Sequence, residues 1–74
     1  MSTFNWGILG PGGIAHAFAT DLQTLAGHSV AAVGSRTLSN AQEFVSTFGG
    51  KAYGSYEELV ADESVDAIYV ATPH

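Results

Sequence analysis

Cysteine is missing altogether from the 74 residues, which excludes disulfides, cysteine-based zinc sites and thiol nucleophiles, so that redox chemistry would need a bound cofactor. Basic residues are nearly missing too. Arg36 and Lys51 stand against seven acidic residues, for a formal charge of −5. That balance repels a phosphate backbone and leaves no basic stripe, which argues against nucleic-acid binding. It does not exclude a local phosphate site built from backbone N–H groups and one well-placed Arg. No apolar run approaches the ~18 residues of a membrane span, and the start MSTFNWGILG lacks a basic segment followed by a long apolar one. A cytoplasmic chain with no membrane partner is expected.

What is present suits a folded domain. Hydrophobic residues make up 46% of the chain and charged residues 12%, far from the composition of a disordered segment. A chain of this size removes only about 60% of its unfolded surface from water, so its stability is expected to be marginal and helped by a partner. His16 and His28 form no H-E-x-x-H or other ligand spacing with a third residue, and both read as surface histidines with no metal site.

Along the chain, short apolar runs alternate with segments of helical period. Phe4 to Leu9 is apolar on both faces and closed by Gly10, as in a parallel strand covered on each side. Ile14, Phe18, Leu22 and Leu25 then fall on one helical stripe that ends near Gly27. His28 is expected in the following loop, and Val30 to Gly34 (VAAVG) is a second strand. Ser39 with Gln42 spells a capping box, Ala41, Phe44, Val45 and Phe48 make the second helix's stripe, and Gly49 ends it. Lys51 to Tyr53 is a weak third strand. Ser55 with Glu58 caps a short third helix, and Ala67 to Ala71 is a fourth strand halted by Thr72 and Pro73. Such alternation means βαβ units and an α/β fold with a parallel sheet and right-handed crossovers.

The chemistry gathers at three places. Gly10, Pro11, Gly12, Gly13, Ile14 and Ala15 spell G-x-G-x-x-A inside the segment NWGILGPGGIA. There Gly10 permits a tight turn, Gly12 lets a pyrophosphate approach the backbone, and Ala15 lets helix and strand pack closely. The plain alternative is a glycine-rich turn with no ligand, but a strand before and a helix after supply the context that the motif requires. After the second strand stand Ser35, Arg36 and Thr37, where an NAD-selective site carries an acidic residue for the ribose 2′-OH. A guanidinium there can hold a 2′-phosphate that a carboxylate would repel, which points to NADP with NAD still possible. The other reading of Arg36 is a solvated loop charge. Thr72, Pro73 and His74 follow the fourth strand at the carboxyl edge, where ligands bind in open α/β sheets, and could line the nicotinamide end. Equally, Pro73 merely ends a strand and His74 is a terminal residue. Glu57 and Glu58 are accounted for by solvation and capping, and no catalytic residue is assigned.

Taken together, NWGILGPGGIA, VGSRT and KAYGSYEELVADESVDAIYVATPH resemble the N-terminal domain of the glucose-fructose oxidoreductase and inositol dehydrogenase family (Gfo/Idh/MocA). KAYGSYEEL and ATPH look like the subgroup that contains dimeric dihydrodiol dehydrogenases. The resemblance covers essentially the whole chain. It implies hydride transfer between NADP(H) and a sugar, polyol or diol carbon, with Gly10, Gly12, Gly13 and Ile14 on the pyrophosphate and Ser35 and Arg36 on the ribose phosphate. Thr72, Pro73 and His74 would approach the nicotinamide ribose. The family's next motif, a Glu-Lys-Pro with a catalytic lysine, and its substrate domain would lie beyond residue 74. Residues 1–74 are thus expected to be the N-terminal part of an NAD(P)-binding domain that does not turn over substrate alone. A non-catalytic NADP-binding module is the alternative. The implied sheet, of Rossmann type with strand order 3-2-1-4 and helices on both faces, leaves the fourth strand as an open edge, so self-association through Ala67 to Ala71 or a domain swap is expected unless the chain is part of something longer.

Overall fold

The computed structural model describes residues 3–72. Four parallel strands, β1 (Phe4–Leu9), β2 (His28–Gly34), β3 (Lys51–Tyr53) and β4 (Ala67–Val70), alternate with three helices, α1 (Gly13–Gln23), α2 (Leu38–Phe48) and α3 (Tyr56–Val60). The sheet order is β3-β2-β1-β4, the arrangement that the family resemblance implies. Every strand therefore ends at the same edge, and the loops leaving β1, β2 and β4 converge there.

One face of the sheet carries the main core. Ile8 of β1 and Val30 and Val33 of β2 pack with Ala15, Ala19 and Leu22 of α1 and with Ala41 and Phe44 of α2. Strict alternation would put Val30 and Val33 on opposite faces. The β1–β2 register shifts between Trp6, which faces Val30, and Gly7, which faces Ala32. Ala31 is thus an extra residue that returns both valines to the α1–α2 side. On the opposite face α3 lies over bare backbone. Leu59 is fully buried, and a methyl group added at Gly34 would lie 2.9 Å from its Cβ, while one at Gly7 would lie 2.9 Å from Val65 Cγ1. The glycines let a five-residue helix sit close enough to bury that one leucine, worth roughly 1.5–3 kcal/mol.

Helix α1 differs from the sequence reading. Its buried stripe is Ala15, Ala19 and Leu22, whereas Ile14 and Leu25 are 65% and 52% exposed. Two alanines bring the helix axis near the sheet, which turns the bulkier residues to its flanks. Phe18 there stacks on Tyr69 at 3.9 Å and meets Trp6 edge-on. The helix ends at Gln23 rather than near Gly27. Helix α2 starts at Leu38 with Thr37 as its N-cap, not at Ser39, and Thr37 makes no side-chain cap bond. The turn is closed earlier, where Ser35 Oγ accepts from the Thr37 N–H at 3.2 Å, so the Ser39–Gln42 spacing falls inside the helix. Gly49 does end α2, at φ 87°. Ser55 caps α3 by accepting from the Glu58 N–H, and its hydroxyl donates to the Glu58 carboxylate at 2.9 Å. His28 opens β2 instead of lying in a loop, and its Nδ1 accepts from Trp6 Nε1 at 3.1 Å.

Beyond α3, the Tyr53 hydroxyl donates to the Asp62 carboxylate at 2.7 Å. Hydrogen bonds from Ser64 and Tyr53 hold the Asp62 carboxyl down at about 2. The bond to Asp62 pushes the Tyr53 phenol above its ordinary value. This contact fastens β3, an edge strand, to the segment that leads into β4.

Candidate functional site: a cleft at the carboxyl edge of the sheet

Immediately after β1 the chain turns at Gly10, whose N–H donates to the Gly34 carbonyl at 2.9 Å. Its φ is +88°, and a methyl group there would lie 2.9 Å from Thr72 Cγ2 and 3.2 Å from Thr72 Cα. Gly10 is therefore required twice, by a left-handed backbone and by the passage of the β4 exit across it. Gly12 differs. Its φ of −151° is extended backbone open to any residue, and a methyl group there would meet no heavy atom within 4 Å. Gly12 is the N-cap of α1 and has no side-chain cap. The first intrahelical bond runs from His16 N–H to the Gly12 carbonyl at 2.9 Å. The preceding N–H groups, those of Gly13, Ile14 and Ala15, have no intrahelical acceptor and give the helix end its partial positive charge. Ile14 contributes through this backbone, since its side chain points to solvent.

Across from the turn, Ser35 is buried at the end of β2 with 6% exposure. Its N–H is bound to the Tyr53 carbonyl at 3.1 Å, and its hydroxyl oxygen shapes the loop through Thr37. Arg36 is exposed, and its guanidinium carbon lies 5.8 Å from the centre of the Tyr56 ring. Together these pieces bound a cleft of about 340 Å³. Gly10, Pro11 and Gly12 form one wall, Ser35, Arg36, Thr37 and Asn40 another, and Tyr56 and the β4 exit at Ala71 and Thr72 complete it. No Asp or Glu is among its described lining residues. A smaller hollow of about 140 Å³ lies between α1 and α2 around His16, and it does carry a carboxylate, Glu43.

An uncapped helix end, an open glycine at its tip and one guanidinium with no acid among the described lining residues are groups chemically able to take a phosphate. The family model described as an oxidoreductase family with an NAD-binding Rossmann fold (GFO_IDH_MocA) matches residues 4–74. The chain belongs to the Gfo/Idh/MocA oxidoreductase family. Among similar proteins, the D-xylose 1-dehydrogenase (NADP(+)) of Hypocrea jecorina is 46% identical across 97% of this chain and 22% of its own length. The trans-1,2-dihydrobenzene-1,2-diol dehydrogenase of Homo sapiens is 49% identical across 93% of this chain and 22% of its own. A 3-ketoreductase from Actinomadura kijaniata, solved in complex with NADP and TDP-benzene, superposes with a TM-score of 0.92 at 30% identity, covering 97% of this chain and 22% of that one. The chain thus spans about a fifth of the length of the relatives it matches. A protein of gentamicin A biosynthesis, solved with NAD, shares the fold with a TM-score of 0.88 at 22% identity, covering 99% of this chain and 21% of that one.

Within this Gfo/Idh/MocA domain the structure brings Gly10, Gly12, Ser35, Arg36, Thr37 and Thr72 to one cleft. Gly13 and Ile14 stand just behind it, in the first turn of α1. Pro73 and His74 lie outside the described residues. Asn5, at the head of the glycine segment, is at the far end of β1 and outside the cleft. Asn40 and Tyr56 line the cleft and were missed by the sequence reading. Both sit in the first turn of a helix that begins at this edge, which is the signal that marks them. Among the described residues no helix is long and apolar enough to cross a membrane, and no group of three His, Cys, Asp or Glu is placed to hold a metal ion.

Proposed function

We propose that residues 1–74 are the N-terminal, NADP-preferring part of a dinucleotide-binding domain in an oxidoreductase acting on CH–OH groups of a sugar, polyol or diol. The observation that carries this reading is Arg36, set at the end of β2 in a cleft with no lining carboxylate and facing the open Gly12 turn. The named substrates of the similar dehydrogenases, a pentose and a dihydrodiol, support the substrate class. The NADP in the name of one and in the solved ketoreductase supports the cofactor.

In this reading the N–H groups of the first α1 turn, at Gly13 and Ile14, hold the pyrophosphate. Gly12 leaves room for it, and Gly10 sets the turn's direction. Ser35, Arg36 and Thr37 take the adenosine ribose phosphate. Thr72, Pro73 and His74 border the nicotinamide ribose. The bound nicotinamide supplies the hydride chemistry, and these residues position it. Among the described residues none is assigned to move the alcohol proton, and in this reading residues 1–74 taken alone bind cofactor without turning over substrate. Titration of Arg36→Ala with NADPH and NADH tests the assignment. Losing charge-assisted bonds to a phosphate should weaken NADPH roughly 10- to 100-fold, with NADH changed less than about twofold. Equal changes for both would contradict it.

We also infer self-association along β4, which among the described residues pairs with β1 on one side only and leaves Val70 64% exposed. Unpaired strand edges next to apolar surface template pairing with a second copy. Light scattering at rising concentration should show a growing mass, and a constant monomer mass would contradict this.

A further inference from the structure

We propose that Tyr56 is the positioning residue that selects for the 2′-phosphate, by holding Arg36 over its ring in the orientation that faces the cleft. This rests on the NADP reading above. Arg36 is exposed and its side chain has many rotamers in solution. Among the described residues no carboxylate lines the cleft to pin it. What it does meet is the Tyr56 ring, with the guanidinium carbon 5.8 Å from the centroid, inside the range of about 6 Å for attraction of a cation to an aromatic face.

Tyr56 is itself fixed. It is the first residue of α3, directly after Ser55, whose hydroxyl is bound both to the Glu58 N–H and to the Glu58 carboxylate. Leu59, three residues on, anchors the same helix against Gly34, the last residue of β2. The ring is thus carried by a helix locked to the strand that delivers Arg36. A guanidinium drawn to a ring face by its charge still has N–H donors left for a ligand, because it carries five of them and the ring takes none in a hydrogen bond. Placing those donors in advance reduces the ordering cost of phosphate binding. The platform acts on the phosphate through Arg36, so it should matter for a 2′-phosphorylated ligand and not for one with a 2′-hydroxyl.

The test is a cycle of four chains, the wild type, Arg36→Ala, Tyr56→Leu and the double variant, titrated with 2′,5′-ADP, AMP, NADPH and NADH, with Tyr56→Phe as a fifth. Tyr56→Leu should weaken NADPH and 2′,5′-ADP roughly two- to fivefold, the range for an exposed cation–aromatic contact, and leave NADH and AMP unchanged. Tyr56→Phe keeps the ring and should bind like the wild type. In the Arg36→Ala background Tyr56→Leu should have no further effect. Equal weakening of NADPH and NADH by Tyr56→Leu would mean that the ring touches adenine or only supports α3, and would overturn the proposal. So would an effect of Tyr56→Leu that persists without Arg36, or a Tyr56→Phe that behaves like Tyr56→Leu. If Arg36→Ala lowers NADPH affinity and Tyr56→Leu does not, this inference falls alone. If neither variant alters the NADPH to NADH ratio, the NADP reading falls with it.

Discussion

The two ends of the sheet use their polar groups in opposite ways. At the amino end, residues satisfy one another. The Asn5 N–H donates to Asp66 Oδ2 at 2.8 Å, Ser29 Oγ donates to Asn5 Oδ1 at 3.1 Å, and Trp6 Nε1 donates to His28 Nδ1. The Asp66 N–H returns a bond to the Asn5 carbonyl at 2.7 Å. At the carboxyl end, glycine replaces side chains, the α1 terminus has no cap, and the guanidinium of Arg36 rests on a ring rather than on a carboxylate. The first arrangement closes a structure. The second leaves hydrogen-bonding capacity for a ligand, so that in the proposed reading one end of the segment NWGILGPGGIA serves stability and the other binding.

That contrast can be broken by substitution. The largest stability effect is expected midway between the two ends, at Leu59→Ala, where the one buried leucine of α3 is lost. A cost of about 2–5 kcal/mol in chemical denaturation is expected, and a value near zero would mean that α3 does not hold the second face. Next comes Arg36→Ala, which should cost affinity for NADPH and almost nothing in melting temperature, since its side chain is exposed. Asn5→Ala should do the reverse. Losing the bond from Ser29 should cost about 0.5–1.5 kcal/mol of stability, with NADPH affinity unchanged when titrated well below the melting temperature. A change in affinity there would erase the distinction between the ends.

The smallest effect concerns pH and the Tyr53–Asp62 contact. The Asp62 carboxyl titrates lower in the folded chain, at about 2, than in the unfolded one, at about 3.9. Its contribution is therefore present above the unfolded value and is lost as pH falls toward 2. The gap in melting temperature between wild type and Asp62→Asn should narrow on acidification from pH 6 to pH 2. Tyr53 is shifted the other way, upward, so its share is present below about 10, the unfolded phenol value, and is lost as pH rises through the raised folded value. A Tyr53→Phe gap that widens in alkali would contradict this sign.

Much of the architecture was legible because β1, β2 and β4 hold short apolar runs closed by Gly, Ser or Thr, and because Ser55 with Glu58 and the Gly49 stop follow local rules. The glycine turn and the place of Arg36 came from such signals, and the strand order came with the family resemblance that they carry. What was misread depended on contacts between elements. The rotation of α1 is set by the close approach of Ala15 and Ala19 to the sheet, and a hydrophobic stripe through Ile14 and Leu25 does not contain that information. The extra residue at Ala31 is decided by pairing with β1. The start of α2 is set by Ser35, which closes the turn before Ser39 can act as cap. Asn40 and Tyr56 join the site because the sheet topology brings two helix starts to one edge, and neither belongs to a spacing motif.

The central claim is that the Gly12 turn is open because a pyrophosphate fits there. Gly12→Val tests it most directly, since the backbone there is ordinary and a methyl group at that position meets nothing within 4 Å. The account predicts that without ligand the variant loses no more than about 0.5–2 kcal/mol, the cost of a poorer N-cap residue, together with loss of the NADPH-induced stabilisation, which for wild type at 100-fold excess over Kd should be about 2.7 kcal/mol. A folded variant that still gains the full stabilisation from NADPH would contradict it.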